Sequence, residues 1–300
     1  MYENKYTIVL FLSSLITKLE QFAFSNCTSL HSITIPNGLE DVCSTAFTGC
    51  EFTEVNANQT VMNNCKIGHV IIDNVTDCSN CKSILSVEIL DGVTSIGSYA
   101  FNGCSNLRNI KIPKSITSIY SSAFNGCSNI DVYYADGMTT IPVISPDCVK
   151  SYHIPDSATS FSGYSCDHII EIYYEGDLED WLEIEFGENQ PMSKANSCYM
   201  YDEQINDYYL IREVIIPSHI TNIGQEQFRG FSQLYLVVIH GDVSTIGMKA
   251  FYEADNVIIL AEATSREPGW YYDNYDRLDS WFAKTSQVYW NYKNNGYIVL

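Results

Sequence analysis

The sequence predicts a solenoid, mainly β or α/β, of about eleven coils of about 23 residues carrying one parallel sheet. Three observations predict it. Residues 91–113 (DGVTSIGSYAFNGCSNLRNIKIP) are followed at once by a second copy, KSITSIYSSAFNGCSNIDVYYAD, in which Ile119, Phe124 and Cys127 stand 23 residues after Ile96, Phe101 and Cys104. Self-similarity at one fixed period marks stacked structural repeats. The same columns recur along the chain, since Leu19, Val42, Ile96, Ile119, Ile223 and Ile246 are each followed five residues later by Phe24, Phe47, Phe101, Phe124, Phe228 and Phe251. Finally, 46% apolar against 17% charged residues suffices for a continuous core in an elongated array.

Ala precedes the column Phe in five of six cases, with Gln at 227, and small beside large at fixed places is how coils interdigitate. A second set of columns places apolar residues at i, i+3 and i+5: Leu30, Ile33, Ile35; Leu107, Ile110, Ile112; Ile211, Val214, Ile216; Leu234, Val237, Ile239. The last two of each triplet alternate with a solvent-facing residue, the period of a half-buried strand. Pro36, Pro113, Pro155 and Pro217 close several such strands, because proline has no donor for a ladder. Further strands are expected near Val55, Val70, Val87, Tyr133, Tyr152, Ile172 and Val257, with the period pinched to 15 and 17 residues between Val55 and Val87. At ordinary strand spacing, eleven strands would stack to about 50 Å.

The repeat is divided into a solenoid over 1–175, an insertion over 176–209, a continuation over 210–260 and an aromatic C-terminal cap over 261–300. Within the insertion, Asp177 to Phe186 reads as a helix start, Asn189 to Met200 as a loop and YMYDEQIND as a hairpin. The cap carries Trp270, Trp281 and Trp290, suited to covering a terminal coil that has no neighbour. At the other end, Tyr6 to Ile16 is apolar over eleven residues, the length of a signal-peptide core. Its flanks lack a net positive charge and an Ala-x-Ala site, so a truncated first coil is favoured.

Eleven cysteines fall partly on the 23-residue period, from Cys27 to Cys50 and from Cys81 through Cys104 to Cys127. A thiol recurring once per coil forms an inward column and acts as a small apolar group, so these are read as reduced and structural, with bridging between neighbours sterically conceivable. The Cys78–Cys81 pair has metal-ligand spacing, with Cys65 and His69 nearby, but no second pair completes a zinc site. No metal and no cofactor is expected. The glycines of the Ile-Gly and Asn-Gly-Cys elements are read as turn residues allowing positive φ, since no phosphate-loop pattern surrounds them.

A net charge of −20 argues against nucleic acid and anionic membranes as partners. No stretch is long enough to span a bilayer. Six isolated histidines and the absence of a nucleophile motif argue against a triad. The acidic run Asp177, Glu179, Asp180, Glu183, Glu185, Glu188 lacks the spacing of a calcium loop and is read as a solvated face.

On the residues IP-x-x-(V/I)-T-x-I-G-x-x-A-F-x-G-C-S-N-L, over most of 14–260, the chain resembles the BspA-like, or treponemal-type, leucine-rich repeat family. The Glu-Gly-Asp-Leu-x-x-Trp segment at 175–181 and the tail PGW…VYWNY at 268–292 look like elements of bacterial proteins bearing these repeats. The resemblance implies a secreted or cell-surface protein whose concave surface binds host proteins or neighbouring cells, and it supplies no catalytic residues. The expected function is therefore a monomeric, non-enzymatic scaffold for a protein or glycan ligand, extracellular matrix included. Outward strand positions Thr34, Lys111, Tyr133, His153, Tyr173 and Ile215 carry the readout. The alternatives are a carbohydrate-active enzyme using acidic residues of the 176–209 insertion, or a purely structural spacer.

Overall fold

The structure is a computed structural model that describes residues 8–34, 41–42, 46–47, 50, 54–56, 69–72, 78–82, 84–144, 148–162, 171–186, 197–254, 257–262 and 287–290. The chain divides into two compact units, Met1–Ala135 and Asp136–Leu300. Both are built from β-solenoid coils.

In the first unit seven strands form the main sheet: β1 (Ile8–Phe11), β3 (Leu30–Thr34), β5 (Glu54–Asn56), β6 (His69–Ile72), β7 (Ser86–Ile89), β9 (Asn109–Ile112) and β11 (Ile130–Tyr134). Each described pairing is parallel. The short strands β2 (Lys18–Leu19), β4 (Asp41–Val42), β8 (Ser95–Ile96) and β10 (Ser118–Ile119) pair as β2 with β4 and β8 with β10. Register follows the sequence period: Ser86 stands opposite Asn109, and Asn109 opposite Asp131. The pinch is present too, with Val55 opposite Val70 and His69 opposite Ser86. The described residues form a parallel-sheet solenoid of about seven turns at a spacing near 22, a count that differs slightly from the eleven coils expected. Ile8–Phe11 joins the sheet in parallel beside Leu30–Thr34.

The inward columns stack as their spacing requires. Phe101 and Phe124 lie 5.1 Å apart and 12° from parallel, and Phe24 and Phe47 5.3 Å and 7°. Opposite the strands, the Ala-Phe turns make a second backbone ladder between coils: Phe101 N–H donates to Ala123 at 2.8 Å and Gly103 N–H to Asn125 at 2.7 Å. The thiols join it, Cys104 donating to the Cys78 carbonyl and Cys127 to the Phe101 carbonyl, both at 3.1 Å. The described cysteines are unbridged and, Cys27 apart, buried. Cys65 and the His69 side chain lie outside the described residues.

Gly103 and Gly126 take φ of 74° and 75°, the turn role expected of Asn-Gly-Cys glycines. Among the described residues the Ile-Gly glycines, Gly97, Gly224 and Gly247, differ from expectation in lacking positive φ. At Gly247 the requirement is close approach, since a Cβ there would run into the backbone of Gln225 in the preceding coil, whereas Gly97 has open space around it. Positive φ falls instead two residues before the column Phe, at Phe22, Tyr99, Glu226 and Lys249.

The second unit contains β12 (Thr140–Pro142), β13 (Val149–Ile154), β14 (Ser160–Ser162), β15 (Glu171–Tyr174), the helix α1 (Leu178–Glu183), β16 (Ser197–Asp202) and β17 (Asp207–Leu210). There follow β18 (Glu213–Ile215), β19 (Asn222–Ile223), β20 (Leu236–Ile239), β21 (Thr245–Ile246), β22 (Ile258–Ala261) and β23 (Gln287–Trp290). Strands β13, β15 and β16 run parallel, and β17 folds back antiparallel on β16. A separate parallel sheet has the order β18-β20-β22-β23. The segment read as a loop over Asn189 to Met200 is thus a strand from Ser197 onward. Its inward Cys198 and Met200 alternate with outward Tyr199 and Tyr201, a two-residue period masked by the polar segment before it.

Helix α1 opens on a capping box, the Asp177 carboxylate accepting from the N–H groups of Glu179 at 2.8 Å and Asp180 at 3.0 Å. It delivers Trp181 into the core, fully buried against Tyr174, Phe186 and Phe231. Gln227, standing where other coils have Ala, is there to meet it: Trp181 Nε1 donates to the Gln227 carbonyl at 3.1 Å, and Gln227 Nε2 donates to the Trp181 carbonyl. The break in the Ala column is the complement of the inserted helix.

Phe124→Ala, which removes a stacked ring exposed by 1%, is expected to cost about 3–5 kcal/mol in chemical denaturation. In the native protein Cys27 is expected to react with iodoacetamide while Cys104, Cys127, Cys148 and Cys198 resist until denaturant is added; burial, and then the neighbouring Cys104, push the Cys127 thiol up to about 12. Peptide mapping after brief alkylation near pH 8 distinguishes the two sets.

Candidate functional site

A strand that buries alternate residues turns the others outward, and parallel stacking sets those of successive strands side by side. In the second unit the outward row is aromatic. His153 of β13 stands opposite Tyr173 of β15, which stands opposite Tyr199 of β16. Their rings stack at 4.6 Å and 4.7 Å, within 6° of parallel. Tyr208 of β17 meets Tyr173 edge to face at 5.2 Å, and Tyr201 meets Tyr208 at 5.4 Å. These five rings are half-buried, which fixes their orientation and leaves rims and polar tips to solvent.

Around the row sit carboxylates. Tyr173 donates its hydroxyl to Glu171 at 3.1 Å, and Lys150 lies 3.9 Å from the same carboxylate. Tyr208 donates to Glu175 at 3.5 Å and Tyr201 to Asn206 at 2.9 Å. Beyond the strand ends the face opens into a recess of roughly 420 Å³, whose acidic lining is Asp156, Glu175, Asp177, Asp180, Asp202 and Glu203. Glu175 is exposed by area, yet loss of water around its carboxyl, and then Asp136 and Asp156, raise its proton affinity above the usual carboxylate range.

The row contains two of the six positions expected to carry the readout, His153 and Tyr173. Lys111 and Tyr133 share a row of the first unit with Glu88, Lys111 lying 3.7 Å from Glu88, beside a shallow groove of roughly 270 Å³ that includes Leu90 and Pro113. Thr34 sits on β3 opposite Asn56, its side chain outside the described residues. Ile215 of β18 is half exposed and stands opposite the buried Val238. Sequence reasoning missed Tyr199, Tyr201 and Tyr208, for which the Cys-Tyr-Met-Tyr alternation was the available signal. Of the acidic run, Asp177 and Asp180 cap α1 and line the recess, while Glu179 lies 3.5 Å from His219. Among the described residues no three of His, Cys, Asp and Glu come together in a metal-binding group, and no helix is long and apolar enough to cross a membrane.

Stacked coils of this period, a parallel sheet and a capped Ala-Phe turn side define a leucine-rich-repeat solenoid. The chain belongs to the BspA-type leucine-rich repeat family, whose repeat region matches residues 2–66, 72–179 and 198–267 in six copies. The unmatched 180–197 covers the end of α1 and the approach to β16. Among solved structures, a leucine-rich repeat protein from Bacteroides ovatus is 19% identical, over 94% of this chain and 83% of that one, with a TM-score of 0.35. A leucine-rich cell surface protein from Faecalibacterium prausnitzii is 18% identical over 87% of this chain and 61% of its own, TM-score 0.27. The pneumococcal vaccine antigen PcpA is 13% identical over 97% and 85%, TM-score 0.29. No curated protein matches the chain in sequence.

A carboxyl whose proton affinity is raised by folding opposes the folded state once ionised, so stability falls as pH rises from the ordinary Glu value through the folded one. Glu175→Gln is therefore expected to melt above the wild type at neutral pH and level with it below about pH 4, where both states carry the proton. Thermal melts of the two proteins across pH check the sign.

Proposed function

We propose that the chain is a non-enzymatic binding scaffold, displayed at the cell surface or secreted, that recognises a protein partner through the outward face of its strands. The observation that carries this reading is the aromatic row His153–Tyr173–Tyr199, rigid by stacking and set on a scaffold whose inward residues are committed to the core. Large rings held in one orientation provide contact area at low entropic cost, and tyrosine is enriched where interfaces concentrate their energy. Repetition extends such a patch from coil to coil toward the size a stable interface needs. In this reading 176–209 is an insertion beside this face. Of the cap expected over 261–300 the described part is 261–262 and Gln287–Trp290, the latter paired with Ile258–Ala261, while Trp270 and Trp281 lie outside the described residues. The chain acts as a monomer, and matrix proteins are the ligand class to examine first.

Substituting Tyr133→Ser, His153→Ala and Tyr173→Ser together is expected to weaken a saturable interaction with a panel of matrix proteins, fibronectin included, at least about tenfold while the far-UV circular dichroism stays unchanged. Undiminished binding by the folded triple variant would remove the strand face from the account. A blank across proteins and glycans with folded wild type would leave the spacer reading in its place.

A further inference from the structure

Three of the four tyrosine hydroxyl protons on the aromatic face of the second unit are already committed. Tyr173 gives its proton to Glu171, Tyr201 to Asn206 and Tyr208 to Glu175. A phenol has one proton and lone pairs to spare, so what these groups can still offer a partner is acceptor capacity. Glu171, and Glu175 with the other carboxylates of the recess, are acceptors without donors when ionised. Lys150 is the cation among the described residues of β13, β15, β16 and β17, and it lies against Glu171.

The ring geometry closes a second mode of binding. Both faces of Tyr173 are covered, one by His153 and one by Tyr199, and its edge meets Tyr208. A flat ligand laid on an aromatic platform needs an open ring face, and the middle of this row has none. What it turns outward is a line of rims and hydroxyl oxygens leading to the acidic recess at the strand ends. Arginine and lysine are the positively charged side chains that donate and never accept. The charge of the recess attracts them and fixes the direction in which a segment would lie.

We propose that the outward face of β13, β15, β16 and β17 binds an extended polypeptide segment rich in arginine or lysine, its cationic groups meeting the tyrosine oxygens and one of them entering the recess beside Glu175. This rests on the strand-face reading above and narrows it from any protein partner to a basic protein segment. A cation there also relieves the mutual repulsion of Glu175, Asp136 and Asp156.

The test is a fluorescence anisotropy titration, at physiological ionic strength, of a labelled peptide alternating arginine and serine with the full chain. Tyr173→Phe, Tyr201→Phe and Glu175→Gln combined removes two oxygens and one charge from the face, and is expected to weaken binding roughly tenfold or more. Glu20→Gln with Asp91→Asn removes two charges from the first unit and is expected to change it less than about twofold. Equal losses in the two variants would mean attraction by net charge alone and would overturn the proposal, as would wild-type affinity in the triple variant. A neutral oligosaccharide that displaces the peptide, and is itself lost with the triple variant, overturns the basic-segment proposal and leaves the strand-face reading standing. Absence of binding to peptide, matrix proteins and glycans by folded wild type sinks both. Should the triple variant fail to fold, Tyr201→Phe alone, half-buried and bonded to an exposed Asn206, carries the same comparison.

Discussion

Each coil must repeat at the distance of one strand from the next, and the rest of the structure follows from that constraint. At about 4.8 Å between strands an inward side chain meets its own counterpart before anything else. The residues that succeed are those that stack on themselves: a planar ring, a methyl, or a thiol whose proton reaches the backbone of the coil below. Phe228 on Phe251, 5.4 Å apart and 5° from parallel, repeats in the second unit what Phe101 and Phe124 do in the first. The cysteines belong to the same logic. A thiol donating to a carbonyl in a buried column gives that oxygen a partner in the neighbouring coil, as Cys104 and Cys127 do, and the described cysteines are unbridged.

The constraint applies outward as well, with a different result. Outward side chains are also spaced by one strand, but they are free of core packing, so their identity can vary from coil to coil. In the second unit they are His153, Tyr173 and Tyr199, and the stacking that holds the core together here occurs in contact with solvent. The aromatic row is an outward copy of the inward Phe column. Its rings are ordered by the same spacing, while its polar tips and the surrounding carboxylates give it a chemical character that the core cannot have.

Much of this was legible in the chain. Identical residues at a fixed offset are a statement about neighbours, and they located the Phe, Cys and strand columns, the pinch between Val55 and Val87, and the helix start at Asp177. The misreadings arose where the offset failed. The hairpin read at 199–207 is present as β16 and β17, but the 26-residue step from Glu171 to Ser197 hid the start of β16 and the alignment of Tyr199 with Tyr173, because a stretched coil leaves no phase by which to align its strand. Gly247 was misassigned for another reason: a requirement for φ and a requirement for space look alike in a sequence, and the approach of Gln225 to Gly247 is a contact between coils that a single repeat does not contain. Gln227 was visible as an exception, but its meaning depended on Trp181, 46 residues away.

That pair has a consequence for how the second unit comes apart. In a linear array, cooperativity passes through the interfaces between adjacent coils, each ladder of strand bonds tying one coil's fate to the next. The reversal of chain direction at β17 takes the place of such a ladder between β16 and β18. There the connection is made by the Ile211 N–H to the Cys198 carbonyl at 2.8 Å, and by the reciprocal bonds of Trp181 and Gln227 with Phe231 packed beside them. A buried tryptophan and a buried amide thus stand in for a run of main-chain bonds, and the helix that interrupts the repeat is also the splice that keeps thermal fraying on one side of it coupled to the other.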